Sequence, residues 1–435
     1  MSGSSKTLRT FLLIYGLSLL ANLGAIHVLH VPNTPLKLEK DALEYYDLSR
    51  HLGQSGYDLD SRRGPGHIFI LAALETVARD NLVLLQQLVS IFFSLTAPLV
   101  YLLGLRIGFR RSIAAASGCL TAVWPLFISC GITLYSETTA LPIFLAFLVS
   151  LPRGEMMAAF QLKSVWRWIG SGLLLGACIL TRPMYMIFIL FLVPIAWSES
   201  GSFVKALYRC LLILSGTLLA ISPWSLWISH HEKHFVLVST NGGETIAGGL
   251  NANILTVAKH YITADGRQSW VGPGKWISGY YTSYLSEQEL QLPRHLRNQI
   301  LMQRTIAWMA AHPTQAFSLE CHKLAYMWAI YPFWNGTRQT LLGNIPTLLL
   351  LIFASLGLFY GRQSIRHLAI PCCLPLFVSA VALISWGSWR FREPGDVGLL
   401  LLATLGATAL IDNLFSQKRE PGNGSLSQGF SEQQR

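Results

Sequence analysis

Residues 66–78, GHIFILAALETVA, decide how the chain is threaded. A helix of thirteen residues is about 20 Å long at 1.5 Å per residue, and the hydrocarbon core of a bilayer is about 30 Å thick. The stretch is therefore read as a helix lying at the membrane surface and not as a span. Counting it as a span would invert every segment after it. The short-loop lysines and arginines decide the matter. Without 66–78, apolar runs near 10–29, 82–105, 112–134, 136–151, 167–181, 183–197, 208–229, 341–360, 368–388 and 396–412 make ten spans. On that count Lys6, Arg9, Arg106, Arg110, Arg111, Arg153, Lys163, Arg167, Lys205, Arg209, Arg362 and Arg366 all fall on one side. By the positive-inside rule that side is the cytoplasm.

Composition agrees with a membrane chain. Of 435 residues, 52% are hydrophobic and only 13% charged, against about 25% charged in soluble domains. The net charge of +11 is spread between apolar runs, whereas a nucleic-acid-binding face needs clustered basic residues, so no nucleic-acid partner is expected. Six of the seven cysteines fall inside apolar runs and none has metal-site spacing, which excludes a disulfide framework. The run 10–29 follows Lys6 and Arg9 as a signal peptide would, but His27-Val-Leu-His30 is a poor cleavage site and a retained span is expected.

The expected fold is thus an all-α polytopic bundle of about ten transmembrane helices with two large outer segments. Residues 1–229 form an N-terminal membrane region containing the first outer loop (30–81). Residues 230–340 form a second outer segment with interfacial helices, suggested by Trp308, Trp328 and Trp334. Residues 341–412 hold the last spans, and 413–435 form a polar, disordered cytoplasmic tail. Asn335-Gly-Thr337 matches a glycosylation acceptor triplet.

The span interiors carry no charge in their middle thirds. Ion-coupled transporters place ionisable groups there, so chemistry is sought at the outer ends. Asp41, Glu44 and Asp47 recur at helical spacing with Tyr45, Tyr46 and Leu48. They form a solvated face or a cleft where a carboxylate can take a proton from a hydroxyl. Arg62 and Arg63 precede the chain-breaking Gly64-Pro-Gly66 and could contact lipid phosphates or hold a substrate phosphate in bidentate fashion. Glu137 opens the fourth span in LYSETTAL, as a helix N-terminal carboxylate or a second active-site acid. Arg182, in ILTRPMYM, either snorkels to headgroups or neutralises a phosphate. Arg390 and Arg392 flank Phe391 at the depth of a lipid phosphate. Asn241-Gly-Gly243 and Gly248-Gly249 permit tight turns but lack the Gly-Lys-Ser/Thr of a phosphate loop.

In order, these motifs resemble the GT-C superfamily of integral-membrane glycosyltransferases. They are similar to its bacterial protein O-mannosyltransferase and aminoarabinose transferase branch. Asp41-Ala-Leu-Glu-Tyr45 resembles the acidic first-loop motif, and Arg63-Gly-Pro-Gly-His67 the arginine segment after it. Leu134-Tyr-Ser-Glu-Thr138 and Leu180-Thr-Arg-Pro183 resemble the family's span-start and turn motifs. Ser222-Pro-Trp224 with Val238-Ser-Thr-Asn-Gly-Gly243, and Arg390-Phe-Arg-Glu-Pro394, complete the series. Departures at Gly64-Pro65, Ser225-Leu-Trp227 and Gly249-Leu-Asn251 bear on the sugar and the acceptor.

The resemblance implies transfer of a sugar, with inversion, from a polyprenyl-phosphate donor to a lipid, glycan or protein acceptor. The site would lie on the outer side of the plasma (inner) membrane, with both termini cytoplasmic. It implies Asp41 as the proton acceptor and Glu137 as an auxiliary acid. Glu44, Tyr45, Arg62, Arg63, Arg182, Asn241, Arg390 and Arg392 would bind substrate. No nucleotide or other cofactor is required; Asp41, Glu44 and Glu137 could ligate a divalent metal, though no spacing demands one. A lipid-linked glycan flippase, binding the same phosphate without covalent chemistry, is the alternative.

Overall fold

The structure is a computed structural model and describes residues 2–29, 38, 40–52, 61–152, 162–251, 284–328, 337–362 and 365–417. These residues are helical, turn or irregular, with no strand among them. The helices run α1 (Ser2–Leu29), α2 (Lys40–His51), α3 (Pro65–Ala78), α4 (Leu82–Phe93), α5 (Thr96–Arg106), α6 (Arg111–Val123), α7 (Pro125–Gly131) and α8 (Glu137–Ser150). Then come α9 (Leu162–Thr181), α10 (Ile189–Ser200), α11 (Phe203–Glu232), α12 (Gly242–Gly249), α13 (Glu287–Leu290), α14 (Arg294–Ala311), α15 (Pro313–Met327), α16 (Thr337–Gly361), α17 (Ile365–Ile384) and α18 (Glu393–Gln417). Short 3-10 turns at Pro183–Phe188 and Trp389–Arg392 precede α10 and α18.

The chain is a multi-pass membrane protein. Among the described residues seven helical stretches are long and apolar enough to cross a bilayer, and an eighth arises if α6 and α7 are one span bent by 53°. Pro125 stands at the first position of α7 and accounts for the bend. The remaining two expected spans are shorter apolar helices, Glu137–Ser150 and Ile345–Gly361, and 66–78 is a helix of fourteen residues, Pro65–Ala78. The shortness of α8 has a packing reason. Ten of its fourteen residues are buried in protein, so it has little lipid to match. Phe144 on α8 packs its ring 4.6 Å from Tyr185, 4.7 Å from Phe188 and 6.0 Å from Phe377, joining α8, the 183–188 turn and α17 in the core.

Three of the arginines that charge assigns to one membrane face tie chain segments together at one end of the bundle. Arg111 donates to Thr7 (3.1 Å), Arg106 pairs with Glu199 (2.9 Å) and donates to Leu151 O (3.2 Å), and Arg110 faces Asp412 at 3.9 Å. Helices α8, α9 and α18 run from that end of the bundle to the end bearing Glu137, Arg182 and Arg390.

Helices α9 and α11 cross through glycines. A Cβ on Gly172 would lie 2.1 Å from Ile213 O, and one on Gly216 would lie 2.1 Å from Ile169 O. Absence of a side chain at both positions lets the backbones touch, as in small-residue membrane crossings. Gly216→Leu is expected to force the helices apart and cost about 1–3 kcal/mol, read as a lower thermal midpoint in detergent. Gly170→Ala on the facing helix α9, with open space at its Cβ, should leave the midpoint in place.

Candidate active site

The acids come from two helix starts. Asp41 lies in the first turn of α2, with Glu44 one turn on. The adjoining side of α2 carries Ala42 and Leu48, packed with Ile68 and Leu71 of α3 and Leu85 and Val89 of α4. That apolar anchor fixes which way the acidic face points. Glu137 opens α8 and is 3% exposed.

The arginines stand on chain breaks. Arg62 and Arg63 precede Gly64, the extended N-cap of α3, with Pro65 as its first helical residue. Cβ atoms on Gly64 and Gly66 would lie 2.4 Å from Leu180 O and 2.6 Å from Thr181 Oγ1. Only glycine lets this loop press directly against the end of α9. Pro183 follows Arg182 and holds it extended, at φ −149° and ψ 105°. Arg390 lies in the turn before α18.

Together these groups form an alternating ladder of carboxylates and guanidiniums. Arg62 links Glu244 (Nε–Oε2 3.3 Å) to Glu44 (Nη1–Oε1 3.2 Å). Arg63 Nη2 donates to Glu44 Oε2 (2.6 Å) and Asp41 Oδ1 (2.9 Å). Arg390 Nη2 donates to Asp41 Oδ2 (2.6 Å), and its Nε lies 2.7 Å from Glu137 Oε1. Glu137 also pairs with Arg182, which donates to Ser136 Oγ (3.2 Å). Four acids and four arginines alternate, so the ladder is neutral. Aromatic rings line it: Arg63 stands 5.2 Å from the Tyr45 ring, Arg390 4.1 Å from Tyr135, and Arg182 4.8 Å from Phe391. Side-chain exposure is 31% at Arg62 and 29% at Asp41 but 4% at Glu137.

Burial pushes the Asp41 carboxyl up, but Arg390 and Arg63 overcome it and hold its pKa at about 2. Asp41 is an anion at neutral pH with both oxygens engaged.

Behind the ladder sits His67, fully buried, between Thr139 Oγ1 (2.8 Å) and Leu134 O (3.0 Å), with Tyr45 edge-on at 4.8 Å. Burial lowers its pKa to about 4, assisted by Arg182 and opposed by the Leu134 carbonyl and Glu137. The stability this neutral ring contributes is fully present above its unfolded value near 6.5 and is lost as pH falls through about 4. The loss should reach about 2 kcal/mol by pH 5. Thermal midpoints of wild type at pH 7 and pH 5 should show it, and His67→Gln, which cannot titrate, should flatten it.

The structure separates Arg392 from Arg390. Arg392 turns to Asp396 (3.2 Å), Thr347 Oγ1 (2.9 Å) and Met327 O (3.4 Å), and is 6% exposed. It braces α18 against α16 and α15. Asn241 lies at the start of α12, where its Oδ1 accepts from Ser239 (3.0 Å); it stands beside the ladder and not in it. Asp47 is exposed on α2. Trp334, Asn335, residues 30–37 and the tail from 418 lie outside the described residues.

Several groups here escaped sequence reasoning. Glu244 follows the turn glycines that drew attention as backbone, and the acid next to them was the available signal. Glu393 and Asp396 open α18 at i, i+3 and are 1% and 0% exposed; Trp124 Nε1 donates to Asp396 (2.7 Å). Lys323, on α15, is fully buried. Its Nζ donates to Leu383 O and Ser385 O (3.1 Å each) and lies 3.0 Å from Glu320. It thereby caps the end of α17, next to the strand of chain leading to Arg390. The local signal is Glu320 three residues earlier; the carbonyls that hold the ammonium belong to another helix.

No group of three or more His, Cys, Asp or Glu side chains arranged to hold a metal occurs among the described residues, and arginines occupy Asp41, Glu44 and Glu137.

The chain shares its fold with an archaeal oligosaccharyltransferase. The chain is similar to the archaeal oligosaccharyltransferase AglB of Archaeoglobus fulgidus in complex with an inhibitory peptide and a dolichol-phosphate. The TM-score is 0.56 at 13% identity, over 98% of this chain and 53% of that one. It is similar also to the Archaeoglobus fulgidus oligosaccharyltransferase in complex with zinc and sulfate (TM-score 0.56, 11% identity, 94% of this chain, 50% of that one). The apo form gives a TM-score of 0.53 at 12% identity, over 95% and 51%. The chain spans about half the length of these structures. No protein-family model and no curated protein matches it.

Proposed function

We propose that the protein is a glycosyltransferase that moves a sugar from a polyprenyl-phosphate donor to a hydroxyl-bearing acceptor at the outer surface of the plasma membrane. The observation that carries this reading is Asp41, a carboxylate between two arginines at one end of a GT-C fold. Its solved neighbours are oligosaccharyltransferases, one of them holding a dolichol-phosphate. In the transfer, the acceptor oxygen bonds to the sugar's anomeric carbon and gives its proton to Asp41. The bond from that carbon to the phosphate oxygen breaks, and the electron pair leaves on the phosphate. Arg390 and Arg63 stabilise the charge that grows there. One displacement inverts the anomeric configuration. Glu137, held by Arg182, fixes Arg390 from behind. No step passes through a metal. The outer segment 230–340 sets the acceptor.

Mass spectrometry of lipid-linked and envelope glycans tests this in cells with and without the protein. Expected is one sugar missing from an acceptor in the deficient cells, with accumulation of its polyprenyl-phosphate donor. The same missing sugar with the donor stranded on the inner leaflet would support a flippase instead and overturn the transferase reading.

A further inference from the structure

The geometry points to a phosphate anion seated on Arg63 and Arg390 as the event that frees Asp41 to act as a base, so that donor binds before acceptor. This inference rests on the donor reading above and adds its binding order and trigger.

In the structure each Asp41 oxygen already accepts from a guanidinium. Oδ1 accepts from Arg63 at 2.9 Å and Oδ2 from Arg390 at 2.6 Å. Those same guanidiniums are the groups best placed for a phosphate. Their side chains are 17% and 18% exposed and Asp41's is 29% exposed, so the pairs are reachable from outside, unlike Glu137–Arg182 at 4% and 10%. Each arginine also holds a second acid, Glu44 for Arg63 and Glu137 for Arg390. Either can leave Asp41 while staying anchored in the ladder.

Charge then does the rest. The ladder is neutral with Asp41 ionised, and a sugar phosphodiester brings one negative charge. A phosphate on Arg63 and Arg390 removes two hydrogen bonds that favour the Asp41 anion and places another anion beside it. Both changes raise the affinity of Asp41 for a proton. The proton the acceptor hydroxyl gives up takes the ladder residues from neutral to +1 as the leaving phosphate goes from −1 to −2, so the charge growing on the phosphate is matched beside it. A masked base also prevents water from being activated before the donor is in place.

Carbodiimide with an amine nucleophile labels accessible carboxyl groups, and peptide mass spectrometry reads Asp41 and Asp47 separately. The full-length protein in nanodiscs would be labelled near pH 6 with no addition, with undecaprenyl phosphate, with inorganic phosphate and with phosphatidylglycerol. Native mass spectrometry of the same samples reports lipid retention. Expected is a rise of at least fivefold in Asp41 labelling with undecaprenyl phosphate while exposed Asp47 stays constant, and none with phosphatidylglycerol. Equal unmasking by inorganic phosphate upholds the inference with the headgroup as the whole ligand; unmasking by the lipid alone upholds it with the chain contributing. Arg63→Gln, which removes the Oδ1 partner, should raise Asp41 labelling without any ligand. Retention of undecaprenyl phosphate with Asp41 labelling unchanged in wild type and in Arg63→Gln overturns the inference and leaves the transferase reading standing. No retention of the lipid overturns both.

Discussion

Asp41→Asn is expected to lower sugar transfer by roughly 10²–10⁴-fold, the range for losing a positioned general base, while the protein still reaches the membrane in normal amount. The second half follows from the ladder. Removing the Asp41 charge leaves no arginine stranded, because Arg63 keeps Glu44 at 2.6 Å and Arg390 keeps Glu137 at 2.7 Å. Asparagine has the shape of aspartate and still accepts one of the two hydrogen bonds. It cannot take a proton from the acceptor. The sign of the pH effect separates this from a folding defect. A carboxyl held at about 2 contributes stability that is complete above its unfolded value near 3.9 and is lost only as pH falls through about 2. Between pH 6 and 8 the titration of Asp41 contributes nothing to stability differences, so a loss of transfer there reports chemistry. The measurement is donor turnover per mole of purified protein, set against the thermal midpoint of the same samples. Turnover within threefold of wild type would remove Asp41 from the reaction.

Much of this arrangement was legible in the sequence because membranes impose few options. Apolar run length marks spans, and loop charge marks sides, so reading 66–78 as a non-spanning helix put Arg62, Arg63, Arg182 and Arg390 at one level before any contact was known. The acidic spacing of Asp41 and Glu44 survives as the face of α2. Partnerships were not legible. The Arg390–Asp41 contact joins residues 349 positions apart, and no local pattern encodes it. Arg390 and Arg392 look equivalent around Phe391, yet a 3-10 turn sends them to different sides, one to the ladder and one to Asp396. Lys323 is the extreme case: its ammonium satisfies carbonyls 60 and 62 residues away, and its own sequence neighbourhood reads as a polar interfacial helix.

That divergence of two arginines makes the second large effect. Arg390→Lys is expected to lose transfer by at least 10²-fold with most of the stability kept, whereas Arg392→Ala should cost about 3–5 kcal/mol of stability and little of the chemistry in whatever folds. Arg390 works as a fork: Nη2 reaches Asp41 while Nε faces Glu137. A lysine keeps the charge but is a single point and cannot span both acids in the same geometry. Glu137 keeps Arg182, and Asp41 keeps Arg63, so neither acid is abandoned and the fold tolerates the change. What goes is the rigid link that sets Asp41 against the phosphate. Arg392 has the opposite character. Its carboxylate partner Asp396 is fully buried with Trp124 Nε1 as its other donor, so removing Arg392 leaves an anion in the protein interior. Arg390→Ala should combine the two results, with transfer lost and a stability cost smaller than that of Arg392→Ala because both of its acids retain a partner. Thermal midpoints and donor turnover on the three variants order them along two independent axes. Equal losses on both axes for Arg390→Lys and Arg392→Ala would mean that Arg390 is a brace like its neighbour, and that the ladder holds this end of the bundle together without binding the donor.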